Sequence, residues 1–235
     1  MQAIIQAGGK GSRLRPYTLV LPKPMMPVGN QPVIEMLLKW LRRNGIEEAY
    51  ITLGYLGHLI RALCGDGQQW GMSIGYSEEP EPLGTVGALD LLRDKLDDTF
   101  LVLNGDLITD LDLRAFHAFH KEKGGMLSVA TTEKRIHVDL GVIESEKSQI
   151  VGFREKPTVP FQVSMGIYLM EAAILDHIPK GIPYGFDDLT LGLLDKGIPI
   201  YTYRHEGSWM DIGRQEDFIE AQKLVEDDGL TVLGV

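Results

Sequence analysis

An apolar strand at residues 3–6 runs directly into a turn carrying Gly8, Gly9 and Gly11, and the cations Arg13, Arg15 and Lys23 follow before Val28. Glycines let the backbone approach a phosphate that any Cβ would push away, and successive N–H groups can then point at the anion. Arg13 adds a planar fork of donors suited to phosphate oxygens, and Lys23, framed by Pro22 and Pro24, adds a second point charge. Together they form a cradle for a polyphosphate. Two familiar glycine motifs do not fit. The run Gly9-Lys10-Gly11-Ser12-Arg13-Leu14 lacks the third glycine of a dinucleotide fingerprint, and the strand at 49–53 ends without an acidic residue for a ribose. Lys10-Gly11-Ser12 also inverts the Gly-Lys-Ser order of a P-loop.

Further along, strand and helix patterns alternate. Asn30 reads as an N-cap with Pro32 in the first turn of a helix, whose Val33, Leu37, Trp40 and Leu41 recur at helical spacing until Gly45. Strand signals at 49–53, 72–76 and 100–103 are separated by helical stretches at 58–63 and 85–96. This alternation predicts an α/β domain with a mostly parallel mixed sheet covered on both faces. Ligands of such sheets bind beyond the carboxyl ends of the strands, which puts the glycine turn and Asp106 on one rim. The second half predicts small antiparallel additions from runs at 126–132, 138–144 and 150–153, with a hairpin turn at 146–149. A strand at 163–169, a helix at 187–194, a strand at 200–203 and a final helix at 215–226 complete the map. The residues from 227 to 235 are expected to fray or to pack against a partner chain, which leaves room for a homo-oligomer.

A chain of 235 residues can bury a full core, and one domain over 1–235 is expected. The net charge of −10 disfavours nucleic acid and anionic membranes as partners, so cations gathered at one turn mark a site. The single cysteine, Cys64, excludes an intrachain disulfide and a thiolate-built zinc site, and reads as a small buried residue. No leader and no membrane span is apparent, so a cytoplasmic location is expected.

Two acidic residues sit in apolar surroundings. Asp106 ends the strand at 100–103 within Asn104-Gly105-Asp106, and Asp211 lies in Trp209-Met210-Asp211-Ile212-Gly213. A carboxylate there needs a cation, and two hard oxygen ligands suit Mg²⁺ completed by water and substrate phosphates. Lys156, in Glu155-Lys156-Pro157, brings another cation toward an anionic ligand. Gly84 admits a flat ring or ribose, and Glu79 can accept paired hydrogen bonds of the kind that guanine's Watson–Crick edge donates. The six histidines give no metal pattern, since His117 and His120 lack a third ligand.

The segments AGGKGSRLRPYT with PKPMMPV, EPLGTVGAL, LNGDLIT, GVIE with FREKP, MGIY and WMDIGR stand in the order seen in nucleotidyltransferases that join an NTP to a sugar 1-phosphate. The chain resembles that family, which includes mannose-1-phosphate guanylyltransferases and glucose-1-phosphate thymidylyl- and uridylyltransferases, over nearly its whole length. The resemblance implies a Rossmann-like three-layer nucleotidyltransferase fold. By position it implies that Gly8, Gly9, Gly11 and Arg13 hold the triphosphate with help from Lys23, and that Glu79 and Gly84 contact base and ribose. Asp106 and Asp211 would hold Mg²⁺, Glu155 would bind sugar hydroxyls, and Lys156 the sugar phosphate. Gly141 and the segment 164–166 would line the sugar pocket. Gln6 departs from the leucine usual in the family beside the nucleotide, and no C-terminal left-handed β-helix is expected. The partners implied are an NTP, GTP being favoured through Glu79, and a sugar 1-phosphate such as mannose 1-phosphate. The alternatives are thymidylyl or uridylyl transfer to glucose 1-phosphate, a glycosyltransferase using a preformed sugar nucleotide, and a catalytically silent sugar-nucleotide sensor; neither of the last two would release pyrophosphate.

Overall fold

The residues of β1 (Gln2–Ala7) are almost all buried, which a strand achieves only when the sheet is covered on both faces. The computed structural model describes residues 1–79 and 81–228, so Pro80 and most of the tail expected to fray or dock, 229–235, lie outside the described residues. After β1 the chain forms β2 (Pro27–Val28), β3 (Gln31–Pro32), α1 (Val33–Arg43), β4 (Glu48–Leu53), α2 (Gly57–Cys64), β5 (Ser73–Glu78) and α3 (Gly84–Gly87). Next come β6 (Thr99–Asn104), β7 (Leu107–Thr109), α4 (Leu113–Lys123), β8 (Leu127–His137), β9 (Val142–Glu146), β10 (Gln149–Arg154) and β11 (Thr158–Glu171). The chain closes with α5 (Phe186–Asp195), β12 (Ile200–Arg204), β13 (Trp209–Asp211) and α6 (Gln215–Asp228).

Seven strands form the central sheet in the order β12-β8-β11-β6-β1-β4-β5. All run parallel except β11, which is antiparallel to both β6 and β8. Alternate residues of β1 divide between two apolar layers. Ala3, Ile5 and Ala7 pack with Leu37 and Leu41 of α1 and Phe116 of α4, whereas Ile4 packs with Val86, Leu89 and Leu189 on the other face. The expected three-layer α/β arrangement with a mostly parallel mixed sheet is therefore present, with antiparallel pairs β2–β3, β7–β13 and β9–β10 added to it. Among the described residues no helix is long and apolar enough to cross a membrane.

Some local expectations change. Asn30 does not cap α1: it sits in the turn of the β2–β3 hairpin, where Val28 pairs with Gln31, and extended Pro32 precedes the helix instead. The helical pattern at 85–96 becomes the four residues of α3 followed by a 3₁₀ run, Ala88–Lys95. The strand expected at 163–169 extends much further, because β11 pairs with β8 from Thr158 opposite His137 onward. The β9–β10 hairpin turns at Lys147 and Ser148, both with positive φ as a tight two-residue hairpin requires.

Candidate active site

The carboxyl ends of β1, β4, β5 and β6 carry one rim, and the glycine turn lies on it. Gly11 has φ +58°, and the Thr18 hydroxyl donates to its carbonyl at 2.8 Å, fixing the turn against the following segment. A Cβ on Gly8 would lie 2.8 Å from Oε1 of Glu79, so the glycine lets that carboxylate approach the backbone. Oε2 of Glu79 accepts from the Leu83 N–H at 2.8 Å, which orients the carboxylate. A Cβ on Gly9, by contrast, would meet nothing within 4 Å.

Two cavities meet at this turn. One, of about 180 Å³, is walled by Gly8, Thr52, Glu79 and Gly84. The second, of about 350 Å³, is walled by Gly11, Arg13, Lys23, Asn104 and Asp106. Gln6, Gly9 and Thr85 belong to both walls, so the two cavities adjoin across these residues and together make a two-part groove, with the Gln6 amide touching the Thr85 carbonyl between them. Its first part is small and mostly uncharged, as a nucleobase needs, and its second part carries the cations.

β7 and β13 pair so that Leu107 faces Asp211, and the Ile212 N–H donates to the Asp106 carbonyl at 3.1 Å. This brings the two aspartates together although they are far apart in sequence. The Lys23 ammonium contacts Oδ2 of buried Asp106 and lies 3.4 Å from Oδ1 of Asp211. Burial lowers the Lys23 pKa, and the Asp211 charge opposes that shift. Both carboxylates thus converge on one cation, here an ammonium, and the hard-oxygen pair fits a divalent ion that keeps waters. No group of three His, Cys, Asp or Glu converges among the described residues, so further ligands would come from water or substrate.

A third cavity, about 420 Å³, adjoins Asp211 and is walled by Trp209, Thr132, Lys134, Arg135 and Asp217. The Trp209 indole donates to the Met165 carbonyl at 2.9 Å, and a Cβ on Gly166 would press on Asn104. The segment 164–166 therefore links the walls of the second and third cavities. Gly141, Glu155 and Lys156 lie at the base of the β9–β10 hairpin. There Phe153 and Glu155 cover Gly141, and Lys156 pairs with Asp139 at 3.0 Å, both ends exposed. None of these three is in the walls of the cavities described above.

Three wall residues escape sequence reasoning. Thr52, Thr85 and Asn104 carry no distinctive spacing: the register that sets Gln6 between Thr52 and Asn104 reveals two of them, and the contact of the Gln6 amide with the Thr85 carbonyl reveals the third. The remaining candidates have structural roles. Burial pushes the Cys64 thiol up to about 12. His120 is buried at the opposite rim, with Nδ1 2.8 Å from the Ser128 hydroxyl and Nε2 3.0 Å from Glu171.

The sequence profile of the family described as Nucleotidyl transferase matches residues 2–228. The UTP–glucose-1-phosphate uridylyltransferase of Synechocystis sp. is 35% identical over 94% of this chain and 62% of its own length. The mannose-1-phosphate guanylyltransferase catalytic subunit beta of Dictyostelium discoideum is 35% identical over 95% of this chain and 64% of its own. The chain thus spans less than two thirds of the length of these curated relatives. Among solved structures, the sucrose complex of a Bacillus anthracis protein assigned as a glucose-1-phosphate thymidylyltransferase aligns with TM-score 0.77 and 28% identity, over 97% of this chain and 96% of that one. HddC from Yersinia pseudotuberculosis shares the fold, with TM-score 0.75 and 24% identity over 94% of this chain and 98% of that one.

Proposed function

The chain belongs to the nucleotidyl transferase family, and from that premise we propose that it joins a nucleoside triphosphate to a sugar 1-phosphate, giving a nucleotide sugar and pyrophosphate. The observation that carries this reading is the meeting of two cavities at one charged cluster, Lys23 with Asp106 and Asp211. A donor nucleotide in the groove and an acceptor in the third cavity would present their phosphates to each other there.

Transfer requires attack of the acceptor's phosphate oxygen on the α-phosphorus, in line with the departing pyrophosphate, and no protein nucleophile. Because the attacking oxygen is already anionic, the residues must bring two anions together and neutralise charge that develops between them. Glycine-turn amides and Arg13 would bind the triphosphate, and Lys23 would offset charge beside Asp106. Asp106 and Asp211 would hold Mg²⁺, which when bound supplies Lewis-acid neutralisation of phosphate oxygens. Lys156 would meet the sugar phosphate and Glu155 and Gly141 the sugar, on the positional argument made from sequence.

Glu79 favours GTP. With Oε2 held by the Leu83 N–H, its Oε1 lies beside Gly8, and Glu79 stands in the wall of the first cavity as an acceptor. Guanine offers adjacent N–H donors on one edge, whereas uracil and thymine place a carbonyl on each side of a single N–H. Mannose 1-phosphate is the acceptor favoured, in keeping with the name of the Dictyostelium relative. Uridylyl or thymidylyl transfer to glucose 1-phosphate is the second reading, supported by the names of the Synechocystis and Bacillus proteins. Pyrophosphate release with Mg²⁺, measured across five NTPs each paired with mannose, glucose and N-acetylglucosamine 1-phosphates, tests the proposal. Release that needs both substrates is expected, and silence across the panel would overturn it.

A further inference from the structure

Gln6 stands at the middle of a polar row that crosses three parallel strands. Its register partners are Thr52 on β4 and Asn104 on β6, and in-register residues of parallel strands present their side chains on one face. Thr52 walls the first cavity, Asn104 walls the second, and Gln6 walls both. A nucleotide with its base in the first cavity and its phosphates in the second therefore has its ribose over Gln6.

The amide itself is half used. Nε2 donates to the Thr85 carbonyl. Because a carbonyl only accepts, that contact fixes which end of the amide is which, a choice that geometry alone leaves open. The other end, Oε1, is shielded from solvent and has no partner among the described residues. Unsatisfied buried acceptors are rare in native structures, and because Oε1 is shielded from the empty groove as well, a ligand donor reaches it once the Gln6 side chain turns from Thr85 toward the groove. Ionised phosphates donate nothing, and Glu79 already faces the base edge. The groups that can donate at the junction are the ribose hydroxyls.

We infer that Gln6 is a specificity-determining residue that reads the ribose of the donor nucleotide, Oε1 accepting a hydrogen bond from a ribose hydroxyl. The inference rests on the nucleotide-binding reading of the groove given above.

Calorimetric titration of the purified protein with GTP and UTP, each beside its 2′-deoxy and 3′-deoxy counterparts, tests it without requiring turnover. One of the two deoxy forms should bind about threefold to tenfold more weakly than the parent, the size of one neutral hydrogen bond. That gap should vanish in Gln6→Leu, or in Gln6→Met should the leucine variant not fold. Equal binding of all three forms, or a gap that survives the substitution, would overturn the inference. So would a variant that changes GTP against UTP by one factor for parent and deoxy forms alike, since Gln6 would then be reading the base. Wild-type protein that binds nucleotides with the expected gap, yet releases no pyrophosphate, would sink the transfer reaction and leave the role of Gln6 standing.

Discussion

Gly54 follows β4 as Gly8 follows β1, and the strands are in register through Ala7 opposite Leu53, so the two glycines lie side by side. The Tyr55 N–H donates to the Gly8 carbonyl at 3.3 Å, tying them. Replacing Gly54 by alanine would put a Cβ 2.5 Å from the Gly8 oxygen and 2.9 Å from its Cα, where ordinary contact begins at 3.4 Å. The obstacle is backbone on both counts, so no side chain can swing aside. The glycine turn would have to withdraw by about 1 Å, and a displacement of that size at a reacting group costs on the order of 10²-fold in rate. Overpacking of this kind also destabilises by about 1–3 kcal/mol. We expect Gly54→Ala to lose about 10²-fold in kcat/KM for pyrophosphate release while still melting cooperatively in urea. Gly9→Ala is the control, since its Cβ would touch no protein atom within 4 Å: its stability should hold within about 0.5 kcal/mol while nucleotide binding weakens. Wild-type kcat/KM in Gly54→Ala would refute the argument that Gly54 holds the phosphate cradle in place.

Asp106→Asn removes one of the two charges that converge on Lys23 and should lower kcat by about 10²–10³-fold with an unaltered circular dichroism spectrum; near-normal turnover would remove Asp106 from the machinery. Glu79→Gln keeps an acceptor for the Leu83 N–H and adds a donor suited to a pyrimidine carbonyl, so the ratio of GTP to UTP use should fall about tenfold; an unchanged ratio would take base reading away from Glu79. His120 sets a pH dependence of stability. Its pKa is lowered chiefly by burial, with Glu171 acting against that, so the unfolded chain binds a proton that the native protein refuses. Stability is therefore full above about pH 6.5 and falls as the pH drops below it. Glu171 adds a further loss at lower pH: burial alone would raise its pKa, but hydrogen bonds from Lys121 and Thr99 outweigh that and hold it below the usual value. Urea midpoints that stay flat from pH 7 to pH 5 would contradict the His120 assignment.

The central fold was legible because strands buried on both faces read as apolar runs punctuated by glycine, as at 3–6 and 100–103. What was not legible depended on pairing. The patterns at 126–132 and 163–169 stop where burial stops, yet β8 and β11 continue as exposed partners of each other, held by backbone bonds that leave no apolar signature. Asn30 carries a capping side chain but lies in a hairpin, since the Gly29 φ of +60° turns the chain before the helix can begin. At 88–95 the apolar spacing is kept, but the run is 3₁₀, a distinction between hydrogen-bond patterns that side-chain spacing resolves poorly.

The same division runs through the site. The half proposed for the nucleotide is built from turns that directly follow β1, β5 and β6, so chemistry and position are read together: Gly8, Gly11, Glu79, Gly84 and Asp106 all arrive on one rim by sheet topology alone. Asp211 reaches that rim only through the short β7–β13 pairing, and its apolar neighbours Trp209, Met210 and Ile212 are what made the carboxylate conspicuous. The half proposed for the acceptor hangs on excursions instead. Glu155 and Lys156 sit at the foot of an exposed hairpin, where Lys156 pairs with Asp139 rather than with the central charges. The third cavity, next to Asp211, is walled by Lys134 and Arg135 of β8, a stretch with no motif of its own. Glu133, Asp211, Asp217 and Glu220 make that wall acidic on balance and Arg135 pairs with Glu133, so Lys134 is the cation there that would meet a phosphate irrespective of the sugar attached to it. On the proposed reading, recognition of the sugar falls to the hairpin foot and the segment 164–166. Lys134→Ala should then weaken all sugar 1-phosphates alike, whereas Glu155→Ala should change their ranking, and the same pyrophosphate assay with mannose and glucose 1-phosphates separates the two. A change of ranking in Lys134→Ala would mean that the cavity wall reads the sugar itself.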